Sequence, residues 1–178
     1  GSPDLISAAA ASTANAQSAP AIVTNPSGAQ VAVAWQSGVS GNGQIVSSAF
    51  ASGAWSGPEL VSSAAASAAN ASAPKLVAST DLSSVTAVWQ SRNVANGEVY
   101  ASRRTAGTWA ANPTLISVAA ASSTNVQSLG QVASNPAGDT VTVVWRSYDQ
   151  FNGEIYANRF SSNSWASATR LSNAAASN

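Results

Sequence analysis

Three tryptophans close three similar runs of valine and alanine: Trp35 in VAVAWQS, Trp89 in VTAVWQS and Trp145 in VTVVWRS. A second tryptophan follows twenty residues later in each copy, as Trp55, Trp109 and Trp165. Between them lies an Asn-Gly step: Asn42-Gly43, Asn96-Gly97 and Asn152-Gly153. These sets are spaced 54 and then 56 residues apart, and the apolar-Ser pairs Ile6-Ser7, Val61-Ser62, Ile116-Ser117 and Leu171-Ser172 recur every 55. Such a period marks an array of supersecondary units, each unable to bury its apolar face alone and therefore stacked on its neighbours. It constrains shape far more than activity.

The repeats divide as 3–57, 58–112 and 113–168 within a unit spanning 3–172. Gly1-Ser2 reads as an expression scar, and residues 173–178 as the start of a further repeat or a tail. In the second copy, Pro74 to Ala78 is a short apolar run (strand a) and Val85 to Trp89 a β-branched run suited to a half-buried strand b. Asn96-Gly97 is expected to supply the positive φ of a tight turn before strand c, Glu98 to Arg103. Thr105-Ala106-Gly107 then turns the chain towards Trp109 and strand d around Pro113 to Ser117. Between strands a and b, Asn25-Pro26-Ser27-Gly28 and Asn135-Pro136-Ala137-Gly138 fit a type I turn, while the second copy must rely on Asp81. Strand b is apolar on both faces, which implies a layer on each side. The d-to-a connections, Ala8 to Ala19 and its copies, read as ordered loop.

Seven Lys+Arg balance seven Asp+Glu, and only 8% of residues are charged, so no basic footprint for nucleic acid and no cationic segment for membranes is present. No run approaches the roughly 20 apolar residues of a membrane-spanning helix. The chain has neither Cys nor His, which removes disulfides, thiolate metal sites and the usual general base. No cofactor is expected. Few lysines, abundant Ser, Thr and Asn and no Cys suit a bacterial secreted or cell-surface protein.

Four antiparallel strands in about 55 residues, sandwiched between like sheets, describe a propeller blade. The rival is a parallel β-solenoid, against which the Asn-Gly turns argue. The pattern apolar-V-x-V-W-x-S, N-G-x-I-Y-A, W and P-x-L-I-S resembles bacterial β-propeller repeats of the broad sialidase-like or Asp-box-like kind, from Pro3 to Ser172. An Asp box reads Ser-x-Asp-x-Gly-x-x-Trp at the c-to-d turn. Here Ala51 to Trp55, Thr105 to Trp109 and Ser161 to Trp165 keep the Trp and, in two copies, the Gly, so the boxes are degenerate.

Propellers usually close with about four to eight blades. Three leave two apolar faces open, so the expectation is a half-propeller, completed by a head-to-tail homodimer of six blades or by flanking blades of a longer protein. Four segments match strand d for three blades. Trp165 to Ser172 should fill the outer edge of the third, leaving Ile6-Ser7 to compete, swap or cover an edge.

The six tryptophans keep strict register with the strands and are assigned to packing. The b-to-c loops differ most between copies, and candidate ligand-binding residues fall there: Arg92, Asn93, Arg146, Tyr148, Asp149, Gln150 and Phe151. An aromatic pair beside polar groups suits a sugar or a peptide. Glycosidases need two carboxyl groups about 5–9.5 Å apart; Glu98 and Glu154 are equivalent residues of different blades, without a carboxylate beside either. Arg92 and Arg146 have no third partner in the first copy, so the arginine cluster that the sialidase resemblance implies is incomplete. Asp149, Asn152 and Glu154 offer oxygen ligands within six residues, but Val94 and Ser40 stand near the Asp position elsewhere, and no metal is expected. These readings favour a non-catalytic binding or scaffold module taking a glycan or protein on its b–c and d–a loop face. The alternatives are a fragment of a sialidase-like glycoside hydrolase and a purely structural self-assembling array.

Overall fold

The computed structural model describes residues 4–7, 16–38, 43–62, 70–93, 96–117, 126–148 and 153–172. Among these, every regular element is a strand, and the strands form three antiparallel sheets. The first holds β1 (Ala16–Thr24), β2 (Val31–Gly38), β3 (Gln44–Ala51), β4 (Ala54–Trp55) and β5 (Glu59–Leu60). The second holds β6 (Asn70–Ala78), β7 (Ser84–Asn93), β8 (Asn96–Thr105), β9 (Thr108–Trp109) and β10 (Thr114–Leu115). The third holds β11 (Val126–Ser134), β12 (Val141–Tyr148), β13 (Gly153–Ser161), β14 (Ser164–Trp165) and β15 (Thr169–Arg170). In each sheet three long strands lie in chain order, and two short strands share the outer position against the third. Three such sheets packed face against face are blades of a β-propeller, an all-β fold.

The turns explain the topology, with one correction. Gly28 and Gly138 donate to the carbonyls of Asn25 and Asn135 at 3.0 Å, closing the expected a-to-b turns. The Asn-Gly glycines, in contrast, do not take positive φ. They sit at the start of strand c because a Cβ on Gly43 or Gly97 would collide with the backbone carbonyl of Ala71 or Gln127 in the next blade. The consecutive positive-φ pairs are at the c-to-d hairpins: Ser52-Gly53, Ala106-Gly107 and Ser162-Asn163. Those degenerate Asp boxes are two-residue turns of the kind that matches strand twist.

The recurrent apolar-Ser pair has a structural basis. The serine hydroxyls of Ser62, Ser117 and Ser172 accept the N–H groups of Ile45, Val99 and Ile155 at 2.8, 3.0 and 3.0 Å. The preceding apolar residue meanwhile turns onto the following blade. Val61 packs with Ala87 and Trp89, and Ile116 with Val143 and Trp145. Ile6 makes the same contact with Val33 and Trp35 of the first blade. The edge of the third blade is filled by β14 and β15, as the Trp165 to Ser172 register required, and Ile6 packs on a face of the first blade.

Strand b is buried on both sides in the first two blades, whereas β12 alternates from buried to exposed. Among the described residues nothing packs on the outward face of β12 in the way the second and third blades cover β2 and β7.

Candidate functional site

The starts of strands a and c and the ends of strands b and d share one face of the array, since Val126 pairs with Tyr148 and Gly153 pairs with Tyr148. The b-to-c and d-to-a connections attach there. Of the sequence-derived candidates, Asp149, Gln150 and Phe151 lie outside the described residues, as do the side chains of Arg92 and Asn93. The register sets Arg92, opposite Asn70, level with Tyr148 rather than with Arg146. Arg146 and Tyr148, two apart on β12, are brought together, with the guanidinium 4.3 Å from the centre of the phenol ring. Tyr148 is 43% exposed.

Behind them two equivalent carboxylates are already engaged. Tyr100 donates its hydroxyl to Glu98 at 3.0 Å and Tyr156 to Glu154 at 3.1 Å. Arg170 also pairs with Glu154 at 2.6 Å. Each tyrosine stacks on the tryptophan of its own blade, Tyr100 on Trp89 and Tyr156 on Trp145. Burial, then the adjacent Glu98, pushes Tyr100 up to about 12. Tyr156 is raised by burial and by Glu154, against the opposing charge of Arg170.

Sequence reasoning placed the site on loops, but a concavity with aromatic and polar lining lies elsewhere. A groove of about 560 Å³ runs between the outer rims of the second and third blades, within the size range of small-molecule sites. Trp109, Trp165, Phe160, Arg103, Ser102 and Asn112 line it. The two blade junctions differ in one contact. At the preceding junction Trp109 Nε1 donates to Ser47 Oγ at 2.7 Å, but Ala101 stands in the place of Ser47 when Trp165 comes round. Arg103 is fixed by donation to Thr86, Ser84 and the Gly138 carbonyl, and its guanidinium lies 4.1 Å from the Phe160 ring centre. The buried hydroxyl of Ser102 has no partner among the described residues. The b-strand tryptophans Trp35, Trp89 and Trp145 are buried, while Trp55, Trp109 and Trp165 are half-buried at the rim. The outer three pack against the core clusters with part of their surface still open. The one cue to the groove was the change from Ser47 to Ala101 within otherwise matching strands.

Among the described residues no group of acidic side chains could hold a metal ion.

No protein-family model and no curated protein matches the chain. Solved structures do. The chain is similar to the α-L-arabinofuranosidase PaAbf62A from Podospora anserina, solved in complex with cellotriose, with a TM-score of 0.50 and 13% identity over 86% of this chain and 50% of that one. It is also similar to the catalytic domain of a GH62 α-L-arabinofuranosidase from Coprinopsis cinerea, with a TM-score of 0.47 and 13% identity over 86% of this chain and 50% of that one. The chain thus spans about half the length of these structures, and the shared feature is the fold, a β-propeller. This corrects one expectation. The reading of a chain without enzymatic activity rested on unpaired carboxylates, an incomplete arginine cluster and the lack of His, and the propeller it resembles belongs to a glycoside hydrolase.

Proposed function

We propose that this chain is part of a glycan-directed β-propeller of glycoside-hydrolase type, with a saccharide unit seated in the groove between the second and third blades. The observation that supports this reading most is the groove itself. It sets two half-buried indoles, Trp109 and Trp165, beside an immobilised guanidinium and an unpaired buried hydroxyl. Indole faces take the apolar faces of sugar rings, and the polar groups take their hydroxyls. The likeness of fold to PaAbf62A supports the class by analogy alone.

Titration with cellotriose, followed by tryptophan fluorescence and calorimetry, tests the reading, together with release of nitrophenol from an aryl α-L-arabinofuranoside. Binding that Trp165→Ala abolishes and Tyr148→Ala leaves intact is the expected result. Loss on Tyr148→Ala alone moves the site to the loop face and overturns the groove. Neither binding nor hydrolysis with any of a panel of plant and bacterial oligosaccharides overturns the glycan reading.

A further inference from the structure

The two end faces of the array are not alike, and the difference identifies what fits them. Positions that are sealed between blades inside the chain are open on the third blade. Ile45 and Val99 are 0% exposed, but their equivalent Ile155 is 43% exposed; Val61 and Ile116 are 1% and 2% exposed, but Leu171 is 59%. On the first blade the opposite half of that interface is open: Ile22 is 67% exposed where its equivalent Leu76 is 9%. The chain makes this interface twice internally, so the third blade of one molecule and the first blade of another present complementary halves of it.

One segment stands in the way. Ile6 packs on Val33 and Trp35, the same contact that Val61 makes with Ala87 and Trp89 and Ile116 with Val143 and Trp145. A pocket of about 210 Å³ beside it is lined by Ile6, Pro20, Val33 and Trp35 together with Ser7, Gln17 and Ser18. We infer that Ile6-Ser7 is a plug, occupying the slot that Leu171-Ser172 of a second copy enters when two chains join head to tail. Association requires the plug to leave, so the N-terminal segment sets its strength.

The geometry also supplies a variant that blocks docking without touching the monomer's core. A Cβ on Gly43 or Gly97 would strike the backbone carbonyl of the next blade. On Gly153 the atoms nearest to it are those of the Arg146 guanidinium, the far end of a flexible side chain, which swings aside in a single chain. In a dimer it would strike the backbone at Gln17, the equivalent of Ala71 and Gln127.

Sedimentation equilibrium on the full chain, on a chain lacking residues 1–7, on Ile6→Ser and on Gly153→Ala tests the inference, with circular dichroism confirming the fold of each. The expected result is that plug removal or Ile6→Ser tightens self-association more than about tenfold. Gly153→Ala, placed in either background, should abolish it. Folded Ile6→Ser that associates no more tightly than the full chain overturns the plug. Association that Gly153→Ala leaves unchanged overturns the docking mode.

Discussion

The indole Nε1 of Trp145 donates to Oε1 of Gln127 at 2.7 Å, and the same amide donates onward to Ser147 Oγ at 2.9 Å. All three residues are buried. The first blade repeats the chain with Trp35, Gln17 and Ser37. The second blade has Ala71 at this position, and there Trp89 Nε1 and Ser91 Oγ are buried without partners among the described residues. Stranding a buried donor and a hydroxyl costs about 1–3 kcal/mol each. Gln127→Ala should therefore lower stability by about 2–4 kcal/mol, including its cavity. Ala71→Gln should raise it by about 1 kcal/mol by completing the third network. Urea denaturation measures both, and a loss on Ala71→Gln would show that the second blade has closed over the space.

The serine of three apolar-Ser pairs, Ser62, Ser117 and Ser172, does one job in two environments. Ser117 is buried and caps the N–H of Val99, whereas the Ser172 hydrogen bond to Ile155 is exposed. Removing a buried acceptor leaves the N–H unsatisfied, at a cost of about 1–3 kcal/mol, while water replaces an exposed one. Ser117→Ala should be destabilising by about 1–2 kcal/mol and Ser172→Ala by less than about 0.5 kcal/mol. Equal effects would mean that the third blade's edge is covered in solution.

The period made the blades legible because packing repeats wherever sequence does: Trp35, Trp89 and Trp145 lie at equivalent depths, each with its strand b. The Asn-Gly step misled because glycine has two uses. A turn needs it for positive φ, whereas Gly43 and Gly97 are needed for want of a Cβ under a neighbouring carbonyl. That neighbour is some thirty residues away in sequence, beyond local turn chemistry. The glutamine networks were readable, since Gln17 and Gln127 each precede their tryptophan by 18 residues. The groove left one cue, the exchange of Ser47 for Ala101, and that exchange has meaning only against a tryptophan contributed by a separate blade.

Tyr100 gives a pH signature. Its folded-state value near 12 exceeds the ordinary value near 10. Between these limits the folded chain keeps a proton that the unfolded chain has lost, so the stabilisation is complete below pH about 10 and falls away as pH rises through about 12. Spectrophotometric titration of tyrosinate should show this late-ionising group. Glu98→Gln should move it down only part of the way, because burial is the larger cause. Arg170→Gln should move Tyr156 the other way, since Arg170 opposes its upward shift.

The c-to-d hairpins hold a substitution whose sign depends on backbone conformation alone. Ala106 sits at φ 49°, followed by Gly107 at φ 82°. A left-handed conformation costs an L-residue with a Cβ roughly 1–2 kcal/mol, and glycine avoids that cost while losing about 0.5–1 kcal/mol of unfolded-state freedom. Ala106→Gly should thus raise stability by about 0.5–1 kcal/mol. Ala54, in β4 at the outer edge of the first blade, is also exposed but lies in extended strand without positive φ. There the same replacement meets only the entropic loss, and Ala54→Gly should lower stability by about 0.5–1 kcal/mol. Paired urea denaturation of the two variants separates the contributions, because neither alters a buried contact. If both substitutions destabilise, the hairpin in solution does not hold Ala106 in the left-handed region.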